Sequence, residues 1–287
     1  MISAKVIADT VWDNKRITSL QLHLPKFILA QLNTHRTITK SSASSRAIPT
    51  DKIIKMLDED YFSPIYWGKN KAGMEANEAL SLKEEQQAKL IWRKAFENAV
   101  KSVKELQLLG VHKQTINRLL EPFMWVDTIC TATEWDNFFN LRISEHAQPE
   151  MRALAEAMKE AMDNSKPVKR YYHLPYIREG EIKNRPVWGD FLTSAARCAR
   201  VSYLKHDQTK PNAQQDIQLA QKLFKAGHWS AFEHTAVSLE HMLNSDNPSF
   251  GEVDEDDVKR HTLIRNFKGW VQLRAMLDSG FLMIRDL

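Results

Sequence analysis

Arginines beside small hydroxyls are the residues of this chain best suited to chemistry. Ser44-Ser45-Arg46 closes a polar stretch that opens with Thr34-His35-Arg36. A Ser-x-Arg pair on a loop supplies several donors to one phosphate. Arg142 ends Asn140-Leu141-Arg142 shortly before His146-Ala147-Gln148, and Arg118 lies between these two stretches. Guanidinium forks suit both phosphate and pyrimidine carbonyls, and a fixed cation stabilises an anion that develops beside it. A third run, Gly227-His228-Trp229-Ser230-Ala231-Phe232-Glu233-His234, gathers imidazoles, a hydroxyl and a carboxylate. Each feature has a plainer alternative. Most arginines sit in solvated surface turns, an imidazole such as His228 can simply stabilise a helix end, and Trp229 and Phe232 read as packing residues. His234 reads as structural.

The elements that must position these residues follow from apolar periodicity. Strands are expected over 5–8 and 17–24, around a turn at Trp12-Asp13-Asn14, with Leu20, Leu22 and Leu24 on one face. A short helix over 27–32 delivers the chain into the polar stretch. Ser81 and Glu84 form a capping-box pattern that opens a long helix, with Ala88, Trp92, Phe96, Ala99, Val103 and Leu106 on its inner stripe and an end near Gly110. A helix over 112–120 is stopped by Pro122. Residues 125–131 fit either a buried strand or an apolar helical start. Helices follow over 134–142 and from Pro149, the latter with Met151, Leu154, Ala155, Met158 and Met162 inward. An irregular connection is expected over 165–190, then helices over 192–201 and 213–226, the second capped by Gly227. The acidic run 246–257 reads as a solvated loop, and 258–277 as a last amphipathic helix.

Taken together, the motifs resemble those of the flavin-dependent thymidylate synthases, whose hallmark runs Arg-His-Arg, two residues, Ser, one residue, Asn, two residues, Ser, one residue, Arg. Here Thr34 replaces the first Arg, Thr39 and Ser41 replace the Ser and Asn, and His35, Arg36, Ser44 and Arg46 are retained. Asn137, Arg142, His146, Gln148 and Glu150 keep the family's spacing, whereas Thr131 and Thr133 stand where it usually has Asn and Arg. The Glu-His segment normally precedes the hallmark and here follows it, so the resemblance implies one site with a circularly permuted motif order. It covers roughly residues 20–50, 112–160 and 195–240, leaving out the long helix (82–109) and the region 244–287.

The resemblance implies an α+β fold, an antiparallel or mixed sheet packed with long helices. It also implies a single domain over 1–287, in which 165–190 joins the permuted halves. By position, His35, Arg36, Asn137, His146, Ser202, Ser230 and Glu233 would contact FAD, and His228 would lie on the folate side. Gln31, Ser44, Arg46, Arg118 and Arg142 would hold dUMP, with Arg142 at the uracil edge favouring ionisation at N3. The implied reaction converts dUMP to dTMP with methylenetetrahydrofolate and NADPH, in a homotetramer. Two alternatives compete: a flavin- and folate-dependent pyrimidine nucleotide hydroxymethylase, and a non-catalytic nucleotide-binding relative.

Composition is compatible with this frame. The 287 residues, 43% apolar, suffice for one large core or two modest ones. A net charge of +4, from 40 basic and 36 acidic side chains, suits small anions and is far from a nucleic-acid-binding signature. Cys130 and Cys198 lie outside any paired metal-ligand spacing and lack the proline-flanked setting of the flavin-free thymidylate synthases. No phosphate-binding glycine loop and no apolar run of about eighteen residues occurs, no metal site is expected, and the amino-terminal stretch Met1–Arg16 lacks the long apolar run of a signal peptide. A cytoplasmic protein without membrane or nucleic-acid partners is expected.

Overall fold

The computed structural model describes residues 1–201, 209–210, 212–244 and 265–278. Its first sheet begins as a hairpin, β1 (Ser3–Trp12) and β2 (Lys15–Pro25), turning at Asp13 and Asn14. Both turn residues adopt positive φ, 43° and 56°. Short polar side chains tolerate that conformation, and its twist matches the flanking strands. The chain then passes through a 3-10 turn, Lys26–Ile28, and α1 (Leu29–Asn33) into β3 (Thr39–Ser42). Next come α2 (Thr50–Glu59), α3 (Leu82–Leu108) and α4 (Lys113–Ile116). The first half closes with β4 (Trp125–Ala132), α5 (Asp136–Arg142) and α6 (Pro149–Asp163).

Two two-residue strands, β5 (Val168–Lys169) and β6 (Tyr172–His173), lead into the second half. That half holds α7 (Trp188–Arg200), α8 (Ala213–Lys225), a 3-10 turn at Ser230–Glu233, β7 (Ala236–Ser238), α9 (Leu239–Asn244), β8 (Trp270–Gln272) and α10 (Leu273–Asp278). The strands form a five-stranded sheet, β3-β4-β2-β1-β5, and a three-stranded sheet, β6-β7-β8. The architecture is α+β, with mixed pairing because β5 runs parallel to β1.

Strand alternation gives the five-stranded sheet two unlike faces. Leu20, Leu22, Leu24, Val126, Cys130 and Ala132 point to one side, where Met151, Leu154, Ala155 and Met158 of α6 complete a core. On the other side Ser19 and Thr39 both lie opposite Thr131 in register. This polar row meets His173, His234 and Gln272 of the second half. Two small apolar clusters flank it, one with Ile17, Phe267 and Trp270, the other with Ile129, Cys198 and Val201. The second half has its own core between α7, α8 and α10. Arg197 is buried there with Asp216 and Glu181 as partners.

The capping box at Ser81 forms as expected. The stripe on α3 packs against α2 and the segment after α4, with Phe96 and Val103 buried. Three expectations need correction. The 112–120 helix is only α4 followed by a 3-10 turn, Asn117–Phe123, because Pro122 lacks the N–H for a longer helix. The 165–190 connection contains β5, β6 and the start of α7. Of the last helix, 258–264 lies outside the described residues, and Trp270–Gln272 is a strand paired to β7. Only Leu273–Asp278 is helical there, since the buried backbone of Trp270 and Val271 finds its partners in the sheet. Residues 125–131 form a strand. The acidic run 246–257 lies outside the described residues.

Candidate functional site

The site is assembled around β3, the outer strand of the larger sheet. Lys40 Nζ donates to the carbonyls of Ile38 (2.7 Å) and His35, closing the turn before the strand. Partial burial lowers the Lys40 pKa. The His35 ring packs edge-on against Phe138 of α5 at 4.8 Å, and its Nε2 accepts from Arg142 Nε at 2.9 Å. Burial, then the charges of Arg142 and Lys40, push the His35 pKa down. A neutral ring accepting at Nε2 carries its proton at Nδ1. Arg36 is exposed, and its carbonyl accepts from Asn266.

Gln31 of α1 reaches across to the loop after α5. Its amide donates to Gln148, whose own amide donates to Glu150 at 3.1 Å. Glu150, only 2% exposed, also accepts from the Ile65 backbone. The buried Oε1 of Gln31 finds no partner among the described residues.

Beyond β3 the chain turns at Ser44-Ser45-Arg46. Buried Asn117 anchors the turn by donating to the carbonyls of Ser45 and Ile48 and accepting from Thr50. Glu121 Oε1 accepts from Lys26 (2.5 Å), Ser45 (2.7 Å) and Arg118 (2.7 Å). Burial pushes the Glu121 pKa up, and these donors more than offset it, so the group lies below its ordinary value. Ser44 and Arg46 remain exposed above this anchored cluster.

The Glu-His segment starts at Gly227, whose φ of 73° ends α8 in a left-handed cap. Trp229 stacks on Phe224 at 5.2 Å and Phe232 is fully buried, so both fill the core. His228 and Ser230 are exposed. Glu233 pairs with Arg274 through its carboxylate, and its carbonyl accepts from Gln272, which also reaches Thr39 Oγ1 at 3.2 Å. His234 is buried between Thr131 and Ser41. Within one chain, β3 and its flanking turns therefore meet both the Arg142 segment and the Glu-His segment. Asn137 and His146 lie exposed on the α5 side, His146 beside Glu75 at 3.1 Å. Ser202 lies outside the described residues.

A profile of the family described as "Thymidylate synthase complementing protein" matches residues 14–168, more than half of the chain. The chain belongs to this family. The match runs through the hallmark stretch, α3 and the Arg142 segment, so it takes in the long helix that the motifs alone left out; it ends before the Glu-His segment. Among solved structures, the chain is similar to a UMP/dUMP methylase PolB from Streptomyces cacaoi bound with 5-Br dUMP, at 18% identity and a TM-score of 0.43, covering 51% of this chain and 66% of that one. The same methylase bound with 5-Br UMP gives 16% identity and a TM-score of 0.45, covering 56% of this chain and 88% of that one. No curated protein sequence matches the chain.

Sequence reasoning passed over Lys26, Lys40, Glu121 and His173. Lysines and a glutamate near a hallmark look like ordinary solvated charges, and only the fold shows what they clamp. His173 sits in Tyr171-Tyr172-His173, which carries no spacing signal.

Proposed function

We propose that this protein is a flavin-dependent thymidylate synthase, methylating dUMP to dTMP with methylenetetrahydrofolate as carbon donor and NADPH as reductant. The observation that carries this reading is the hydrogen bond between Arg142 and His35. It joins the residue assigned to the uracil edge to one assigned to the flavin.

The residues around β3 fit FAD. The exposed Arg36 offers a cation to its pyrophosphate, and the His35 imidazole, neutral and accepting at Nε2, offers its Nδ1–H. Asn137, His146, Ser202, Ser230 and Glu233 complete the assigned flavin contacts, and His228 takes the folate side. When bound, the reduced flavin supplies the hydride. Ser44 and Arg46 would hold the dUMP phosphate over the Glu121 cluster, with Arg118 and Gln31 beside it. Arg142 would hold the uracil edge and stabilise negative charge at N3.

A thiolate route is poorly served. Cys130 and Cys198 are fully buried, and burial pushes the Cys130 thiol up to about 12 and the Cys198 thiol up as well. The two halves would act as one domain. Leu82, Leu90, Ile91, Leu108 and Leu109 lie exposed on and just beyond α3 and suit a subunit contact in a homotetramer. No helix among the described residues is long and apolar enough to cross a membrane. A cytoplasmic setting fits this reading.

Incubation of the purified protein with FAD, NADPH, dUMP and methylenetetrahydrofolate, followed by mass spectrometry of the nucleotide, tests the proposal. The expected product is dTMP. A hydroxymethylated nucleotide would favour the alternative to which the changes at Thr34, Thr39 and Ser41 point. Absence of both product and bound-flavin absorbance would overturn both.

A further inference from the structure

The proposed reaction makes no use of the polar seam between the sheets. There, hydrogen bonds run unbroken from Thr10 Oγ1 to His173 Nδ1 (2.9 Å), from His173 Nε2 to Ser19 Oγ (2.8 Å), and on to Thr131 Oγ1 (2.5 Å). They continue from Thr131 to His234 Nδ1 (2.9 Å) and from His234 Nε2 to Ser41 Oγ (2.9 Å). Ser19, Thr131, His173 and His234 have no solvent exposure, while Ser41 on β3 is only half-buried. Burial pushes both imidazoles down to about 3, so each is neutral near pH 7 and carries a single ring proton.

Counting protons constrains this chain. Each of Thr10, His173, Ser19, Thr131, His234 and Ser41 brings one proton, so six protons serve five links. Each imidazole, with one ring proton and both nitrogens linked, must donate to one neighbour and accept from the other. A hydroxyl can also accept from both sides, but its proton then leaves the chain, and the fully buried Ser19 and Thr131 have no other side-chain partner among the described residues. Of the four ways to fill all five links, two strand the proton of a fully buried hydroxyl, Ser19 or Thr131, without an acceptor, and two remain. If every member donates toward Ser41, both histidines carry their proton on Nε2 and the Ser41 hydroxyl proton is free. If every member donates toward Thr10, both carry it on Nδ1 and Ser41 turns only lone pairs outward.

We propose that His234 is a positioning residue whose tautomer, locked to that of His173 through Thr131 and Ser19, sets the Ser41 hydroxyl as a hydrogen-bond donor to an acceptor-rich anionic ligand lying on β3. The lock stands on the seam alone. The ligand part rests on the flavin and nucleotide reading above, with flavin phosphate or nucleotide phosphate as the two sources of that chemistry.

Nitrogen NMR of protein labelled in its imidazoles tests both parts. Near pH 7 the ring signals of His173 and His234 are expected to report the same tautomer, and saturating FAD or dUMP, added separately, is expected to leave both in the Nε2–H form. In Thr131→Val, or in Ser19→Ala should the first variant fail to fold, the ligand-free His173 signals are expected to lose their match to those of His234. A structural packing role alone would not couple tautomers across two hydroxyls. Opposite tautomers in the wild type, or a match that survives in both variants, would overturn the lock. Settled Nδ1–H forms, or no difference between ligand-bound and ligand-free protein in which Nδ1–H is present, would overturn the ligand part. The flavin reading is judged separately by bound-FAD absorbance in the same samples, so its failure is visible even where the lock holds.

Discussion

Arg142 donates through Nε to His35 Nε2 at 2.9 Å, joining the end of α5 to the turn that leads into β3. This bond requires the imidazole to keep Nε2 unprotonated, since a ring proton there would face the guanidinium N–H. Burial and the positive charges of Arg142 and Lys40 favour the same state by lowering the His35 pKa. The guanidinium is thereby held in one orientation, with no partner for its terminal nitrogens among the described residues.

Arg142→Ala is expected to lower turnover by about a hundredfold to a thousandfold, the usual cost of one preorganised charged donor, while FAD stays bound. Loss of the neighbouring charge should also raise the His35 pKa, readable by NMR titration. Unchanged turnover would remove Arg142 from the chemistry.

Arg46→Ala is expected to weaken dUMP binding far more than deoxyuridine binding. Arg46 is exposed above a turn fixed by Asn117 and Glu121, so its removal should leave the fold unchanged. A charge-assisted contact to phosphate contributes roughly 1.5 to 3 kcal/mol, or about one to two powers of ten in affinity. Calorimetric titration with both ligands decides; an equal loss for each would place the phosphate elsewhere.

The two seam histidines should make the protein acid-sensitive in a defined window. Their folded pKa values lie near about 3, against an ordinary value of 6.5, so the unfolded chain takes up protons that the folded one excludes. The stability they contribute is complete above about 6.5 and is lost as pH falls toward about 3, at up to about 1.4 kcal/mol per pH unit for each ring. Urea denaturation at several pH values should show a shallower fall in a variant carrying His173→Gln and His234→Gln. An unchanged slope would mean that the rings do not exclude protons.

Asp216→Ala is expected to destabilise the protein by about 3–5 kcal/mol, because it strips a partner from a buried guanidinium. The Arg197 side chain is only 2% exposed and Asp216 is fully buried. Breaking the exposed Arg93–Glu97 pair on α3 by Arg93→Ala should cost less than about 1 kcal/mol. Denaturant midpoints compare the two, and similar losses would contradict the burial argument.

Local signals were the ones legible in the sequence. Ser81 and Glu84 announce the start of α3, the Asp13-Asn14 turn announces the hairpin, and the methionine and leucine spacing of α6 announces its inner face. Each is settled by neighbours a few residues away. Long-range partners left no such trace. The ring of His173 meets Ser19, which is 154 residues away, and Glu121 gathers donors from Lys26 and Ser45, 95 and 76 residues away. Trp270–Gln272 misled because so short a segment, with only two apolar residues, fits a helix face as well as a strand, and only the edge of β7 decides between them. In the site, the residue types suggested phosphate and carbonyl recognition, while the Arg142–His35 bond and the Lys40 clamp emerged only with the fold.

The polar seam also bears on how the polypeptide can be routed. Each side of it has a core of its own, and the bonds across it join side chains whose positions are set by their own sheets. A hydrogen bond between Thr131 and His234 forms in the same way whichever of the two is made first by the ribosome. The seam itself therefore does not depend on the order in which the two halves are encoded, so long as the chain between them can bridge their ends; here that stretch, 165–190, includes β5, β6 and the start of α7. Motifs that read as reversed along the gene can still face one another across the seam.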